Sequence, residues 1–235
     1  MNKTLFTLGA VALAAWTFLG GGLGISSAQE KAVVLPAPTM ASPAPTAGTA
    51  TAVFAGGCFW GVQAVFQHTN GVLNAVSGYS GGEKSTASYE MIGSGRTGHA
   101  EAVQITYDPK KISYGKLLQI YFSVAHDPTT LNRQGPDSGT QYRSAVFYQG
   151  ADQKKITEAY IAQLDAAKVL PDKIVTQLTP LTAFYPAEKY HQDYATLNPN
   201  QPYIARFDRP KIANLKTVMP DVYRDKPVLV SQAGG

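Results

Sequence analysis

The chain has 235 residues, of which 44% are hydrophobic and 15% charged, enough for one globular domain with additional segments. Its net charge of +4 is dispersed, with no run of five basic residues, which favours a solvated surface over a nucleic-acid-binding one. The single cysteine excludes an internal disulfide and any metal site built from several cysteines.

The first 28 residues have the pattern of a secretory signal peptide. Lys3 gives a positive start, residues 5–25 are apolar, and Ser26–Ala28 offers small side chains to a signal peptidase. We therefore predict cleavage after Ala28 and an exported protein, periplasmic or secreted. The alternative is an uncleaved leader that tethers the protein to the membrane, because the apolar run is about long enough to span a bilayer.

Residues 29–49 are rich in Pro, Ala and Thr and poor in large apolar side chains. Such a segment buries too little apolar surface to offset the entropy of ordering, so we predict an extended, disordered linker. The folded domain is expected at residues 50–225, followed by a flexible tail at 226–235.

Apolar periodicity predicts strands and helices in alternation along this domain. Strands are expected at residues 51–54, 72–77, 99–107, 141–148 and 174–178, and helices at 62–66, 88–92, 113–124, 152–167 and 187–197. Such interleaving predicts an α/β (α+β) two-layer sandwich with a mixed sheet and a ferredoxin-like core. From residue 198 the periodicity is weak, which predicts a long irregular C-terminal segment that wraps the surface.

The only cysteine lies where the first strand turns into the first helix, in the stretch Gly56–Gly61. Gly56 and Gly57 permit a tight turn. Free N–H groups and the positive end of the helix dipole favour an anion at a helix start, so we expect Cys58 to be biased toward the nucleophilic thiolate. The alternative is an unreactive buried thiol.

A carboxylate in a later strand is the best candidate for an acid. Glu101 alternates with Val103 and Ile105, so it shares their apolar face. A buried carboxylate has a raised pKa and can donate a proton near neutral pH. The alternative is a surface glutamate in a salt bridge. The polar loop at residues 135–143 is of the type that carries ligand contacts.

Four motifs in the chain resemble, in this order, those of the A-type peptide methionine sulfoxide reductases. They are Gly57–Gly61 (GCFWG), Gly78–Gly82 (GYSGG), Gly98–Val103 (GHAEAV) and Asp137–Ser144 (DSGTQYRS). The resemblance covers about residues 51–200. Enzymes of this kind repair methionine sulfoxide in proteins.

The resemblance implies a role for each matching residue. Cys58 resembles the nucleophile that attacks the sulfoxide sulfur, and Glu101 resembles the acid that protonates the sulfoxide oxygen. The other catalytic positions implied are two tyrosines that hold the oxygen and an aspartate that anchors the site through water: Tyr89, Tyr142 and Asp137. The implied substrate-binding residues are Gly57, Phe59, Trp60 and Tyr79, with Phe59 and Trp60 as an aromatic cage for the S-methyl group.

The family resemblance also implies the S epimer of methionine sulfoxide as substrate, free or in proteins, with no metal and no bound cofactor. Many members have later cysteines that resolve the sulfenic acid as a disulfide, and this chain has none. We therefore expect an external thiol to reduce Cys58, from either a thioredoxin- or glutaredoxin-like protein or a small thiol. We expect a monomer that binds no nucleic acid.

Two other classes of function remain open at this point. A Cys–His hydrolase would need one of the four histidines as a base for Cys58: His68, His99, His126 or His191. An exported binding module would use the aromatic residues to hold exposed methionines and would not need the thiol.

Overall fold

A computed structural model describes residues 33–43 and 48–232. The predicted signal peptide and its cleavage site therefore lie outside the described residues. Within those two ranges, no helix has the length and apolar composition needed to cross a bilayer.

A six-stranded sheet forms one layer of the domain. Its strands are β1 (Ala50–Gly56), β2 (Val72–Ser80), β3 (Ala100–Tyr107), β6 (Ser144–Tyr148), β7 (Gln177–Pro180) and β8 (Phe184–Pro186). A separate hairpin pairs β4 (Arg133–Gln134) with β5 (Asp137–Ser138). The sheet order is β7-β6-β1-β3-β2-β8, antiparallel except for the β6–β7 pair, so the predicted mixed sheet is confirmed. The four central strands have the ferredoxin-like order.

Helices form the second layer. They are α1 (Phe59–Gln67), α2 (Tyr89–Ile92), α3 (Tyr114–Ile120), α4 (Gly150–Ala167), α5 (Tyr194–Leu197) and α6 (Arg209–Val218). Ser113 caps α3 as predicted, because its hydroxyl accepts a hydrogen bond from the Lys116 N–H at 3.1 Å. Apolar side chains of α1, α3 and α4 pack with those of the sheet in one large core.

Strand β3 distributes its side chains as its alternation predicts. Val103, Ile105 and Tyr107 point into the helix-covered core. Ala100 and Ala102 belong to a smaller cluster on the opposite face. Glu101 shares the helix-covered face, at the end of β3 that lies beside the start of α1.

Three predicted elements begin later than expected or are broken in the structure. The strand expected from residue 141 begins at Ser144, because residues 140–142 form a 3₁₀ turn that closes on Gly139. The strand expected at 174–178 is β7, which begins at Gln177. The helix expected at 187–197 is broken, because Asp193 has a positive φ of 59° and separates a 3₁₀ turn from α5.

The expectation of a disordered linker is wrong for residues 33–43. Leu35 is fully buried in the core. Its carbonyl accepts a hydrogen bond from Gln119 Nε2 at 2.7 Å, and the carbonyl of Pro36 accepts one from the Tyr160 hydroxyl at 2.7 Å. One well-placed leucine and these carbonyl contacts dock the segment, although its composition is that of a linker.

The C-terminal segment wraps the domain but is not irregular throughout. It contains a π-helical turn, Ile204–Asp208, followed by α6, whose Leu215 is fully buried against the core. The tail expected to be flexible is also docked up to residue 232, because the N–H groups of Val230 and Ser231 donate to the carboxylate of Asp193 at 3.0 and 3.1 Å. The apolar side chains of this segment pack on a part of the domain that is far away in the sequence. Periodicity within the segment does not predict such packing.

Candidate active site

Cys58 is the N-cap residue of α1, directly after a tight turn. Gly57 has a φ of +84°, and a Cβ there would lie 2.5 Å from Cβ of Gln134. The turn therefore requires glycine on both conformational and steric grounds. Gly57 shapes the backbone in this way and does not line the pocket described below, so its predicted contact with substrate is not seen.

A buried polar network supports the strand that leads into this turn. The Tyr121 hydroxyl donates to the carbonyl of Ala55 at 2.6 Å, and His126 Nε2 lies 2.7 Å from the hydroxyl of Ser144. A Cβ on Gly56 would lie 2.9 Å from the His126 ring. The end of β1 is thus held in place just ahead of Cys58.

Glu101 lies beside the start of α1 and is 3% exposed, as its alternation predicts. Its Oε2 accepts a hydrogen bond from the Phe59 N–H at 3.0 Å, which ties the acid to the residue after the cysteine. Burial raises the pKa of Glu101 to about 8, although the N–H of Phe59 lowers that pKa in part. The side chain is therefore a protonated acid at neutral pH.

The thiol of Cys58 does not have the lowered pKa expected for a helix start. Burial raises its pKa well above the ordinary value, and negative charge on Glu101 and Asp208 would raise it further. The Trp60 N–H lowers it, but by less. The expectation of a thiolate is wrong for the unliganded site, because desolvation outweighs the helix start. At neutral pH, thiol and acid both hold their protons.

A pocket opens at these two groups. It is lined by Cys58, Phe59, Trp60, Tyr89, Glu101, Asp137, Tyr142 and Tyr203. Seven of the nine residues predicted from the sequence are among them, so five separate elements converge where the sequence analysis expects a site. The two predicted residues outside the lining are Gly57 and Tyr79.

The aromatic side of the pocket is held in one orientation by residues behind it. The Trp60 indole stacks on Tyr194 with ring centroids 4.2 Å apart, and its Nε1–H donates to Nδ1 of His191 at 3.1 Å. Phe59 packs against the same histidine, with ring centroids 5.1 Å apart. His191 is 2% exposed, so it supports the pocket from outside rather than lining it.

The polar side of the pocket carries two tyrosine hydroxyls. Burial raises the pKa values of Tyr89 and Tyr142, and negative charge on Glu101 would raise both further. Both phenols are therefore neutral hydrogen-bond donors at physiological pH. They can donate to an oxygen bound between them and Glu101.

Tyr79 lies behind the pocket and is not among its lining residues. It is fully buried, and its hydroxyl donates to Oε2 of Glu188 at 2.8 Å. The other oxygen of Glu188 accepts from the N–H of Tyr89 at 3.0 Å. Tyr79 thus holds a carboxylate that positions Tyr89. The structure does not support its predicted role in substrate binding, because its side chain is fully buried in the helix-covered core.

Tyr203 is a pocket residue that sequence reasoning missed. Its hydroxyl donates a hydrogen bond to Oδ2 of Asp137, and both residues line the pocket. Burial raises the pKa of Asp137, while the Tyr203 hydroxyl and the charge of Lys211 lower it in part. Tyr203 was one of 13 tyrosines, in a segment with no recognised motif, so no local signal distinguished it.

A buried ion pair lies beneath the first turn of α1 and was also missed. Lys211 Nζ is 3.8 Å from Oδ1 of the fully buried Asp208. A Cβ on Gly61 would lie 2.2 Å from that same oxygen, so Gly61 permits the close approach.

The hydrolase alternative lacks its base. All four histidines are within the described residues, and none lines the pocket with Cys58. Burial lowers the pKa of His126 to about 3, and its Nδ1 lies 3.1 Å from the carbonyl of Tyr121. Across residues 33–43 and 48–232, no group of three or more His, Cys, Asp or Glu side chains could hold a metal ion.

A recessed thiol, a protonated carboxylic acid and an aromatic wall in one pocket define a thiol-dependent oxidoreductase acting on a small polar group. Comparison with known proteins gives the family: the pattern described as peptide methionine sulfoxide reductase matches residues 50–221. The chain belongs to this family and is an oxidoreductase that reduces methionine sulfoxide, as the four motifs predict.

Individual proteins similar to this chain carry the name of the same family. "Peptide methionine sulfoxide reductase MsrA 2" of Mesorhizobium japonicum is 63% identical, over 79% of this chain and 95% of the relative. A protein of the same name from Synechocystis sp. is 50% identical, over 72% of this chain and 79% of the relative.

Solved structures show the same fold. Mxr1 from Saccharomyces cerevisiae in reduced form matches with a TM-score of 0.61 at 34% identity, covering 72% of this chain and 94% of Mxr1. Methionine sulfoxide reductase A of Corynebacterium diphtheriae gives a TM-score of 0.56 at 34% identity, covering 72% and 89% of the two chains. The α/β sandwich predicted from the sequence is therefore confirmed.

Proposed function

We propose that Cys58 takes the oxygen atom from the S epimer of methionine sulfoxide and that Glu101 acts as the acid for this transfer. The observation that carries the proposal is the position of Glu101: buried, protonated at neutral pH, and bonded to the N–H next to Cys58. A thiol and a carboxylic acid are thus held at one end of the same pocket.

The pocket orients the sulfoxide by its two unlike sides. The S-methyl group packs against Phe59 and Trp60, while the oxygen lies toward Glu101 and the hydroxyls of Tyr89 and Tyr142. Fixing the methyl group and the oxygen leaves two positions at sulfur, and the rest of the substrate must take the one that faces the pocket opening, so one epimer fits. Asp137, held by Tyr203, supports the polar side of the pocket.

Two protons move during oxygen transfer, and Glu101 ends with the same protonation state in which it began. Glu101 donates its proton to the sulfoxide oxygen, which makes the sulfur electrophilic, and takes up the proton of the Cys58 thiol. The Cys58 sulfur attacks the substrate sulfur, and collapse of that intermediate leaves the oxygen on Cys58. The products are methionine and a Cys58 sulfenic acid, with the substrate sulfur reduced and Cys58 oxidised.

The raised pKa of the Cys58 thiol fits this order of events. A thiol that ionises only when the acid gives up its proton to substrate is protected from oxidants while the pocket is empty. The nucleophile then forms where the sulfoxide is already bound.

Recycling requires an external thiol, because no second cysteine exists to form an internal disulfide. Oxidised proteins and free methionine sulfoxide are the proposed substrates, and the proposed protein is an exported monomer, periplasmic or secreted. Its signal-like first 28 residues support the export.

One turnover without reductant tests the proposal. The enzyme is mixed with one equivalent of S-epimer methionine sulfoxide, then treated with dimedone and analysed by mass spectrometry. We expect one equivalent of methionine and the dimedone adduct on Cys58, with neither product from Cys58→Ser or from the R epimer. Methionine formed without any oxygen on Cys58 would refute the assigned nucleophile.

A further inference from the structure

A second, narrow cleft reaches Cys58 from the side of α6. Besides Cys58, it is lined by residues that include Gln134, Asp137, Tyr203, Arg206, Lys211 and Asn214. It shares Cys58, Asp137 and Tyr203 with the substrate pocket, whereas Glu101 and Trp60 line only the substrate pocket. The hydrogen-bonded pair of Tyr203 and Asp137 therefore lies between two cavities that both reach Cys58.

The lining of this cleft carries more positive than negative charge. Arg206 is exposed at the rim, with its guanidinium 5.5 Å from the ring centroid of Phe207. Lys211 lies deeper and pairs with buried Asp208. Asp137 is the one acid among the lining residues, and it accepts the hydrogen bond from Tyr203. A ligand with a carboxylate would meet complementary charge at the rim.

The residues that line the cleft leave the acid of the substrate pocket free for its part in reducing a sulfenic acid. A thiolate that displaces oxygen from sulfur approaches along the line of the S–O bond, from the side opposite the oxygen. After turnover, the oxygen on Cys58 lies toward Glu101, inside the substrate pocket. Cys58 lines the cleft and Glu101 does not, so a thiol bound in the cleft leaves the space beside the acid to the departing oxygen.

We propose that this cleft binds the reductant and that the reductant is a small thiol bearing at least one carboxylate, with Arg206 as its anchor. The inference rests on the proposed formation of a sulfenic acid on Cys58. The small-thiol class is favoured because the cleft is narrow and Cys58 is only 8% exposed. A slender thiol arm can reach this sulfur, whereas the cysteine of a protein is flanked by its own backbone.

Two thiols reduce the Cys58 sulfenic acid in two steps. The thiol gives its proton to solvent and its thiolate attacks the Cys58 sulfur; the S–O bond breaks, and the hydroxyl of the sulfenic acid leaves as water after taking up one proton from Glu101. Glu101 is then reprotonated from solvent. A second thiolate attacks the mixed disulfide, which frees Cys58 as a thiol and releases the reductant as a disulfide. Two thiols are oxidised for each sulfenic acid reduced.

The test separates the charge of the thiol from its reactivity. Enzyme oxidised by one equivalent of methionine sulfoxide is mixed with glutathione, which carries carboxylates, or with cysteamine, a cationic thiol. Loss of the sulfenic acid is followed by quenching with dimedone. The measured quantity is the ratio of the second-order rate constants for glutathione and cysteamine, which cancels changes in the intrinsic reactivity of Cys58.

We expect Arg206→Glu to lower this ratio about tenfold, and added salt to lower it in the wild type. Arg206→Lys should keep most of the ratio. The matched control is Arg209→Glu, since Arg209 is exposed and three residues along but does not line the cleft; its ratio should change by less than about twofold.

An unchanged ratio in Arg206→Glu, or an equal change in Arg209→Glu, would overturn the cleft as the reductant site. A rate with thioredoxin that depends on Arg206, while the glutathione rate does not, would show a protein-docking surface and overturn the small-thiol assignment. A failure to oxidise Cys58 in the first step is distinguishable from both, because it refutes the proposed function itself.

Discussion

Besides the loop that carries Asp137 and Tyr142, two regions far apart in sequence contribute to this site, and they do so by different means. The first, residues 54–101, holds Cys58 and Glu101 on adjoining elements, and a main-chain N–H connects the acid to α1. The second, residues 187–218, reaches the site only through side chains, as when Tyr203 bonds Asp137 and His191 bonds Trp60. The sheet and its first helix thus position the reacting groups, Cys58 and Glu101. The segment wrapped around the sheet orients the other pocket side chains and limits access to the pocket.

The comparison predicts that substitutions in the first region cost the most activity. Glu101→Gln keeps a hydrogen-bond acceptor for the Phe59 N–H but cannot donate a proton to the sulfoxide oxygen. We expect the rate of sulfoxide reduction with dithiothreitol to fall by about 10²- to 10⁴-fold, with a modest loss of binding. Glu90→Gln, an exposed change nearby on α2, is the control and should be neutral. A wild-type rate in Glu101→Gln would show that another group supplies the proton.

The pH dependence should report the same acid. The pKa of Glu101 is raised to about 8, so the active, protonated form dominates below that pH and is lost above it. The single-turnover rate should therefore fall by about tenfold for each pH unit above the pKa of Glu101. Stopped-flow profiles of the wild type and Glu101→Gln provide the check. A profile that rises through this range would instead report ionisation of the Cys58 thiol as limiting.

Substitutions in the second region should have smaller effects. Tyr203→Phe removes the hydroxyl that holds Asp137, but leaves Cys58 and Glu101 in place. We expect a loss of about tenfold in kcat/KM for a sulfoxide-containing peptide, the magnitude of one hydrogen bond to a charged group. Tyr190→Phe is the control, because Tyr190 is 63% exposed beside His191. A loss as large as that of Glu101→Gln would place Tyr203 among the groups that transfer protons.

The smallest effect on rate is expected in the N-terminal segment, which contributes to stability alone. Leu35→Ala should lower the free energy of unfolding by about 2–5 kcal/mol, since Leu35 is fully buried in the core. Its rate per folded molecule should not change, because the segment lies away from the pocket. Urea denaturation measures the first quantity, and Leu197→Ala, at a residue 62% exposed, should stay within about 0.5 kcal/mol of the wild type.

Local sequence patterns predicted those elements whose conformation is decided by residues close together in the sequence. The turn at Gly57 and the strand around Glu101 were found because glycine marks a tight turn and alternation marks a half-buried strand. The order of the four motifs then placed seven of the pocket residues together. Tyr79 was misassigned, because a motif shows which residues recur and not which way each side chain faces.

By itself, the sequence determined the class of fold, the strand-to-helix turn at the only cysteine, and the acid on the apolar face of β3. These follow from periods of two and 3.6 residues and from conformations that only glycine adopts freely. Tertiary structure alone decided that Cys58 holds its proton, that Leu35 docks a linker-like segment, and that Tyr203 completes the pocket. Desolvation and packing depend on residues far away in the sequence, such as Gln119 for Leu35 and Asp137 for Tyr203, and no local pattern records them.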